Sequence, residues 1–398
     1  AILGAFVFYL IRGTIIVFHF QRTDIPPAMI VLPASYGDII GANDQPILQN
    51  TLSYDVYIDV GYAKTLSALE GWKYPDRIIQ VLNYFGKPVS KSISSVLQSG
   101  KGGIELGLVD EQMVKNLPSD LSSFLNIQRV YVQTKVATPL EIIAKAIQGE
   151  YYQYVKPKKD GELVYNALGP YAITSGIKTL VDPIGGDTVI TTIDPSIQSF
   201  AQQAINHAVT TNAASGGEII VTDPKTGAII AMASTWPWDA PVMNVFEPGS
   251  SIKPVIFAAA LQEGIVNVNT TFNGPYYIPD PNIPLIIRDV ENHPWPIDLR
   301  NALVYSSDVA EMQIATKFIN TVGDRAYYNW FSKFGFGHTT GIDLPGEVSG
   351  FLTPPSQWYG IGGQEMAIGQ SIAVTGVQLI TALNSVTNGG YIIKPHVI

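Results

Sequence analysis

The sequence has no cysteine, only five histidines, and only 14% charged residues in its 398 positions. Without cysteine there is no disulfide scaffold and no thiolate metal site. The absence is compatible with an exported protein and does not require one. A surplus of basic residues is missing too. The net charge is −9 and the pI near 5.0, which argues against nucleic acid as a partner. His293 has no second histidine or glutamate at ligand spacing, so no metal is expected, and no segment asks for a cofactor. What the sequence does have is 46% hydrophobic residues, 36 Gly and 27 Pro. That composition supports an ordinary core joined by many loops and excludes gross disorder. The length suggests two or three domains. The first residue is Ala1 and not Met, so a longer parent chain is expected.

Residues 1–20, AILGAFVFYLIRGTIIVFHF, are long and apolar enough to span a bilayer, with Arg12 and His19 as the ionisable groups. A membrane anchor is expected here. A signal peptide and a buried globular helix are the alternatives, and no small-residue cleavage site precedes Gln21. Arg12 would either snorkel to the interface or face a partner. Pro26, Pro27 and Pro33 mark 21–34 as a linker.

Tyr54 to Val60 alternates as a half-buried strand. Residues 61–128 mix weak helical periods with polar turns, and Val130-Tyr131-Val132 is a strand candidate. Thr138 and Pro139 open a helix through about Ile147. The stretch 21–186 reads as an α+β module without a site. Gly185-Gly186 marks the next boundary. Thr188–Ile193 is expected as a strand, and Asp194-Pro195 as the start of a helix from about Ser196 to Val209. Two apolar strands, Gly217–Val221 and Ala228–Ser234, flank a turn over Asp223-Pro224-Lys225-Thr226-Gly227. Residues 266–296 read as a long loop in which Arg288, Asp289, Glu291 and His293 resemble a site only if taken alone. Asp298–Tyr305 reads as a helix that delivers Ser306. A helix pair is expected over 310–334, and a last helix from about Thr375 to Thr387.

The chemistry centres on Phe246-Glu247-Pro248-Gly249-Ser250-Ser251-Ile252-Lys253-Pro254. The apolar run that follows is a buried helix with Ser250 at its N-terminus, a natural N-cap position. Lys253 lies three residues on and shares a helical face with Ser250. A serine hydroxyl needs a base to become a nucleophile, and a buried lysine that loses its proton is one. First-turn N–H groups suit an oxyanion. The pattern S-x-x-K alone is weak, and Ser175-Gly176-Ile177-Lys178 repeats it. The plain alternative for either copy is a capping serine with a solvated lysine.

The surrounding motifs separate the two copies. Glu247 to Pro254 resembles the active-site serine segment of penicillin-binding proteins, the D,D-transpeptidases that cross-link peptidoglycan. Asp223 to Ala233 resembles the hairpin that opens the family's central sheet, and Ser306-Ser307-Asp308 its second motif. Asp343-Leu344-Pro345-Gly346-Glu347, Ala367-Ile368-Gly369-Gln370 and Asn388-Gly389-Gly390-Tyr391 resemble later landmarks. The resemblance covers about 187–398 strongly and 1–60 moderately. Tyr36 and Gly41-Ala42-Asn43-Asp44 depart from the family's pedestal pattern. Lys225-Thr226-Gly227 sits in the hairpin turn and is no match for the catalytic K-T-G, which is expected after Ile398.

The resemblance implies an α+β protein of three parts: an anchor at 1–20, a non-catalytic pedestal at 21–186, and a transpeptidase domain at 187–398 that stops before the third motif. No glycosyltransferase domain precedes the pedestal, so the likeness is to the monofunctional class B members. It implies that Ser250 attacks the D-alanyl-D-alanine amide of a stem peptide, that Lys253 is the base, that Ser306 relays a proton to the leaving amine, and that Asp308 orients Lys253. A carboxylate beside a lysine also tends to hold it charged. β-Lactams would acylate the same serine. The implied surroundings are the outer face of the plasma membrane, held by a single pass, and a polytopic glycosyltransferase partner of the shape, elongation, division and sporulation group; Arg12 and Gln21 match that anchor type. Two other readings stay open: an inactive relative that activates the glycosyltransferase, and a serine β-lactamase or β-lactam sensor.

Overall fold

A computed structural model describes residues 28–133, 140–167, 173–278 and 285–398. The expected anchor at 1–20 and the expected helix start at Thr138-Pro139 lie outside them. Among the described residues no helix is long and apolar enough to cross a membrane. The chain divides into two units. One takes the described residues up to Asp38, then Leu48–Lys135 and Gln153–Thr188; the other takes Ile39–Ile47, Val136–Tyr152 and Val189–Ile398.

The first unit holds two antiparallel sheets. β1 (Ala28–Leu32) falls inside the stretch expected as a linker. Its five apolar residues are too short a run to read as a strand, and its neighbour in the sheet is far away in sequence. The second sheet is built on β2 (Asn50–Asp59), with β3 (Gly103–Asp110) and β4 (Leu125–Gln133) on either side. Alternation drives β2: Val56 and Ile58 are buried while Tyr57 between them is exposed. Asp59 ends the strand and caps α1 (Val60–Glu70) by accepting from the Tyr62 N–H at 2.9 Å. Helices α2 (Asp76–Tyr84) and α3 (Lys91–Ser99) close the core with Ile78, Val81, Leu82 and Leu97. Strand β5 (Gly161–Ala167) pairs with β1 and with β6 (Ile173–Val181). The second S-x-x-K copy lies in β6, a strand, and so begins no helix.

In the second unit Asp194 caps α4 (Pro195–Thr211), accepting from the N–H groups of Ser196 and Ile197 at 2.8 and 3.1 Å. The expected strand before it is shorter than the sequence suggested: Val189–Ile190, paired in parallel with Ile39–Ile40. Strands β7 (Glu218–Thr222) and β8 (Ile229–Ser234) form the predicted hairpin. Its turn needs glycine at 227, where φ is +83° and a Cβ would lie 2.6 Å from the Lys394 carbonyl oxygen. Asp223 accepts from the Lys225 N–H and the Thr226 hydroxyl, which leaves Lys225 in an exposed turn. Ala201 and Ile205 of α4 pack on Ala231 and Ala233 of β8.

Helix α5 (Lys253–Gln262) has no polar face: Val255, Ile256, Phe257, Ala259 and Ala260 are all buried. Such a helix belongs inside a domain. It packs among α6 (Leu299–Val304), α7 (Asp308–Val322), α8 (Asp324–Lys333) and α9 (Gly376–Thr387). Asp298 caps α6, and Thr375 with Gln378 forms a capping box on α9. The segment 266–296 is not wholly loop. Thr271–Phe272 pairs with Ile297–Asp298, and Tyr276–Ile278 with Leu285–Ile287. Strands of two or three residues give no readable alternation.

Candidate active site

Ser250 sits in a 3₁₀ turn, Gly249–Ile252, one turn ahead of α5. It is therefore not the N-cap that the sequence suggested: no side-chain cap bond forms there. The tighter turn follows from Gly249, at φ +56°, and from Ser251, whose hydroxyl donates to the Pro248 carbonyl at 2.6 Å. Ser250 is exposed, and its side chain makes no hydrogen bond among the described residues. A second segment holds the turn from outside. Gly249 N–H donates to the Gly369 carbonyl at 3.1 Å, Ser371 N–H donates to the Glu247 carboxylate at 3.1 Å, and Phe246 and Val374 exchange backbone bonds. Gly369, at φ +76°, approaches so closely that a Cβ would lie 2.1 Å from the Gly249 oxygen. The Ala367–Gln370 landmark is thus the support of the serine turn.

Lys253 is the first residue of α5, and its side chain is 1% exposed. Its Nζ donates to the Ser306 carbonyl at 2.6 Å, the Ser306 hydroxyl at 3.1 Å and the Asp308 carboxylate at 2.7 Å. An ammonium has three hydrogens, so these acceptors use them all. Ser306 presents both its oxygens because its backbone is left-handed, at φ +52°, an uncommon state for a residue with a side chain. Ser307, fully buried, caps α7 by accepting from the Ala310 N–H at 3.0 Å. Of the two serines only Ser307 is a capping residue. The structure thus brings Lys253, Ser306 and Asp308 into one hydrogen-bonded group, with Ser250 one turn from Lys253.

Two further features were not legible as parts of the site. Asp289 accepts from the Val309 N–H at 2.9 Å and also bonds His293, which stacks on Tyr305 at 5.0 Å between centroids. Asp289, in the segment expected as a loop, thereby braces the start of α7, the helix that carries Asp308. Glu311, also on the first turn of α7, is 0% exposed, and neither of its carboxyl oxygens has a hydrogen-bond partner. Burial pushes its carboxyl well above the usual range; Lys253 pulls it down and Asp308 pushes it up. No group of three or more metal-ligating side chains occurs among the described residues.

Residues 217–398 match the penicillin binding protein transpeptidase domain. This part of the chain is similar to the transpeptidase domain of the penicillin-binding proteins. The chain is 30% identical over 256 residues to penicillin-binding protein PbpB of Mycolicibacterium smegmatis, covering 60% of this chain and 39% of that one. It is 30% identical over 227 residues to the probable peptidoglycan D,D-transpeptidase PenA of Neisseria gonorrhoeae, covering 53% and 37%. Against peptidoglycan D,D-transpeptidase FtsI of Escherichia coli K12 it is 31% identical over 202 residues, 47% and 33%. The chain therefore spans under two fifths of the length of these curated relatives. These relatives accord with the expected likeness to the class B members. Penicillin Binding Protein 2X from Streptococcus thermophilus shares the fold with a TM-score of 0.68 at 18% identity, covering 93% of this chain and 61% of that one. A chain from a peptidoglycan synthase complex that coordinates polymerization and crosslinking does so at 0.69 and 18%, covering 99% and 77%. The mixed α and β architecture is thus the penicillin-binding transpeptidase fold.

Proposed function

We propose that the protein is a peptidoglycan D,D-transpeptidase working through a Ser250 acyl-enzyme. The observation that supports this most is the bonding of a buried Lys253 to both Ser306 and Asp308, one helical turn from an exposed serine. In the resting site Lys253 has no free lone pair. Once it has passed one proton to solvent, its nitrogen accepts the proton of Ser250 as Oγ bonds to the carbonyl of the penultimate D-alanine. The amide C–N bond then breaks, and the leaving amine takes a proton through the Ser306 hydroxyl, so that free D-alanine departs. An amine of a second stem peptide attacks the ester, restoring Ser250 and forming the cross-link. Asp308 keeps Lys253 aimed at Ser306 throughout. β-Lactams enter the same path by opening their ring amide on Ser250.

The order of parts extends the proposal. Residues 1–20 anchor the chain in the plasma membrane in a single pass, 21–186 form the pedestal, and 187–398 form the catalytic domain on the outer face. The partner is a polytopic glycosyltransferase, a reading that accords with the synthase complex among the structural neighbours. Release of D-alanine from a D-alanyl-D-alanine stem pentapeptide tests the activity. The expected result is release together with a cross-linked product, both lost in Ser250→Ala. Release that persists in Ser250→Ala contradicts the proposal.

A further inference from the structure

Glu311 has no part in the chemistry above, yet its position is the least ordinary in the site. It lies three residues after Asp308, so both carboxyl groups share a face of α7. The charged and titratable groups around it are Lys253 from α5, Asp308 on its own helix and Tyr327 from α8. The Tyr327 hydroxyl is buried and has no hydrogen-bond partner either. A carboxylate enclosed there without a donor is costly, so the side chain is held as the neutral acid. Burial acting on the carboxyl agrees with that state.

We propose that Glu311 is a positioning residue for acylation at Ser250, whose neutral carboxyl keeps the charge beside Lys253 and Asp308 balanced and whose ionisation switches the site off. The inference rests on the serine acyl-enzyme reading. With Glu311 protonated, Asp308 is the carboxylate that holds the Lys253 ammonium, which releases one proton to solvent before it serves as the base. When Glu311 loses its proton to solvent, a second negative charge faces Lys253. Negative charge favours the ammonium form, which has no lone pair to accept the Ser250 proton. The same charge repels the terminal carboxylate of a donor peptide or of a β-lactam. The acylation step itself is unchanged in its balance: the Oγ–C bond forms, the amide C–N bond opens, and the Ser250 proton passes to Lys253. Glu311 acts by setting when that step is permitted.

The test is the rate of covalent labelling by a fluorescent penicillin against pH, with the wild-type protein and Glu311→Gln. Gln keeps the size of the side chain and removes its titration. The wild-type rate is expected to rise and then fall toward alkaline pH. The variant is expected to lose the falling limb, so that its advantage grows by about tenfold per pH unit, as for one titrating proton. Superimposable profiles, or a variant slower by the same factor at every pH, overturn the proposal. Glu311→Met, matched to the apolar surroundings, repeats the comparison if Gln fails to fold, and a wild-type rate with no falling limb up to pH 10 overturns the proposal without any variant. Absence of labelling in the wild type at any pH sinks the acyl-enzyme reading instead. In that case ¹³C NMR titration of Lys253 still decides: its curve moves between wild type and Glu311→Gln if the two groups are coupled, and stays in place if they are not.

Discussion

Lys253 is the side chain on which the site depends, because among the described residues it alone bonds both Ser306 and Asp308, and it is nearly without solvent. Replacing it with alanine removes the proposed base and leaves the Asp308 carboxylate without that partner. Penicillin labelling is expected to fall by roughly 10²–10⁴, the range for loss of a positioned general base. Labelling kinetics within a few-fold of wild type would contradict the role. The residue types made Ser250 with Lys253, and Ser306 with Asp308, readable as two short candidate motifs; that Lys253 bonds Ser306 and Asp308 across the fold is seen only in the structure. Glu311 was not legible. An acid in the first turn of a helix reads as an exposed favourable charge, and only the packing of α5 and α8 against α7 shows that it is enclosed.

Among the elements, the serine turn tolerates little change. Gly369 supports it from another part of the chain, at a backbone conformation and a separation that no side chain fits. Gly369→Ala is expected to cost about 1–3 kcal/mol through strain at a left-handed position. It should also slow labelling of Ser250, because the displaced Gly249 carries the turn with it. Chemical denaturation and labelling measured together check this; an unchanged midpoint and rate would refute the support. At the cap of α9, Thr375→Ala is expected to cost about 1 kcal/mol, since it removes one side of the capping box. Its labelling rate should stay near wild type. Helices α4, α6, α7 and α9 were legible because each follows a capping residue, Asp194, Asp298, Ser307 and Thr375. The short pairs within 266–296 were not, because two or three residues carry no period. Ser250 moved from an N-cap into a 3₁₀ turn because Gly249 and Ser251 tighten the entry to the helix, a geometry that the sequence pattern S-x-x-K does not distinguish.

At the scale of the molecule, the chain is acidic, and two of its buried acids make stability depend on pH. Burial holds Glu218 at about 7, with Asp239 adding to the shift, and burial alone holds Asp239 at about 7. Both oxygens of Glu218 and one of Asp239 are buried without a partner. In the unfolded chain both acids ionise near pH 4. The folded state therefore binds more protons between about pH 4 and 7, and stability falls as pH rises through that window. Below pH 4 the two states bind alike and this loss is absent. Glu218→Gln is expected to raise the melting temperature by several degrees at pH 8 and by little at pH 5. An equal gain at both values would mean that the carboxyl is not titrating. Composition and motif order made the overall architecture legible, but not the division of the chain. Ile39–Ile47 and Val136–Tyr152 belong to the unit that holds the candidate site, and no shift in composition marks either segment.

The central claim is that Ser250 is acylated with Lys253 as its base. Incubation with benzylpenicillin, followed by intact mass measurement and peptide mapping, tests it most directly. The account predicts one added penicilloyl group, located on the peptide containing Ser250, none in Ser250→Ala, and the same adduct forming roughly 10²–10⁴-fold more slowly in Lys253→Ala. A folded protein that stays unmodified, or that carries the adduct on any other residue, would contradict it.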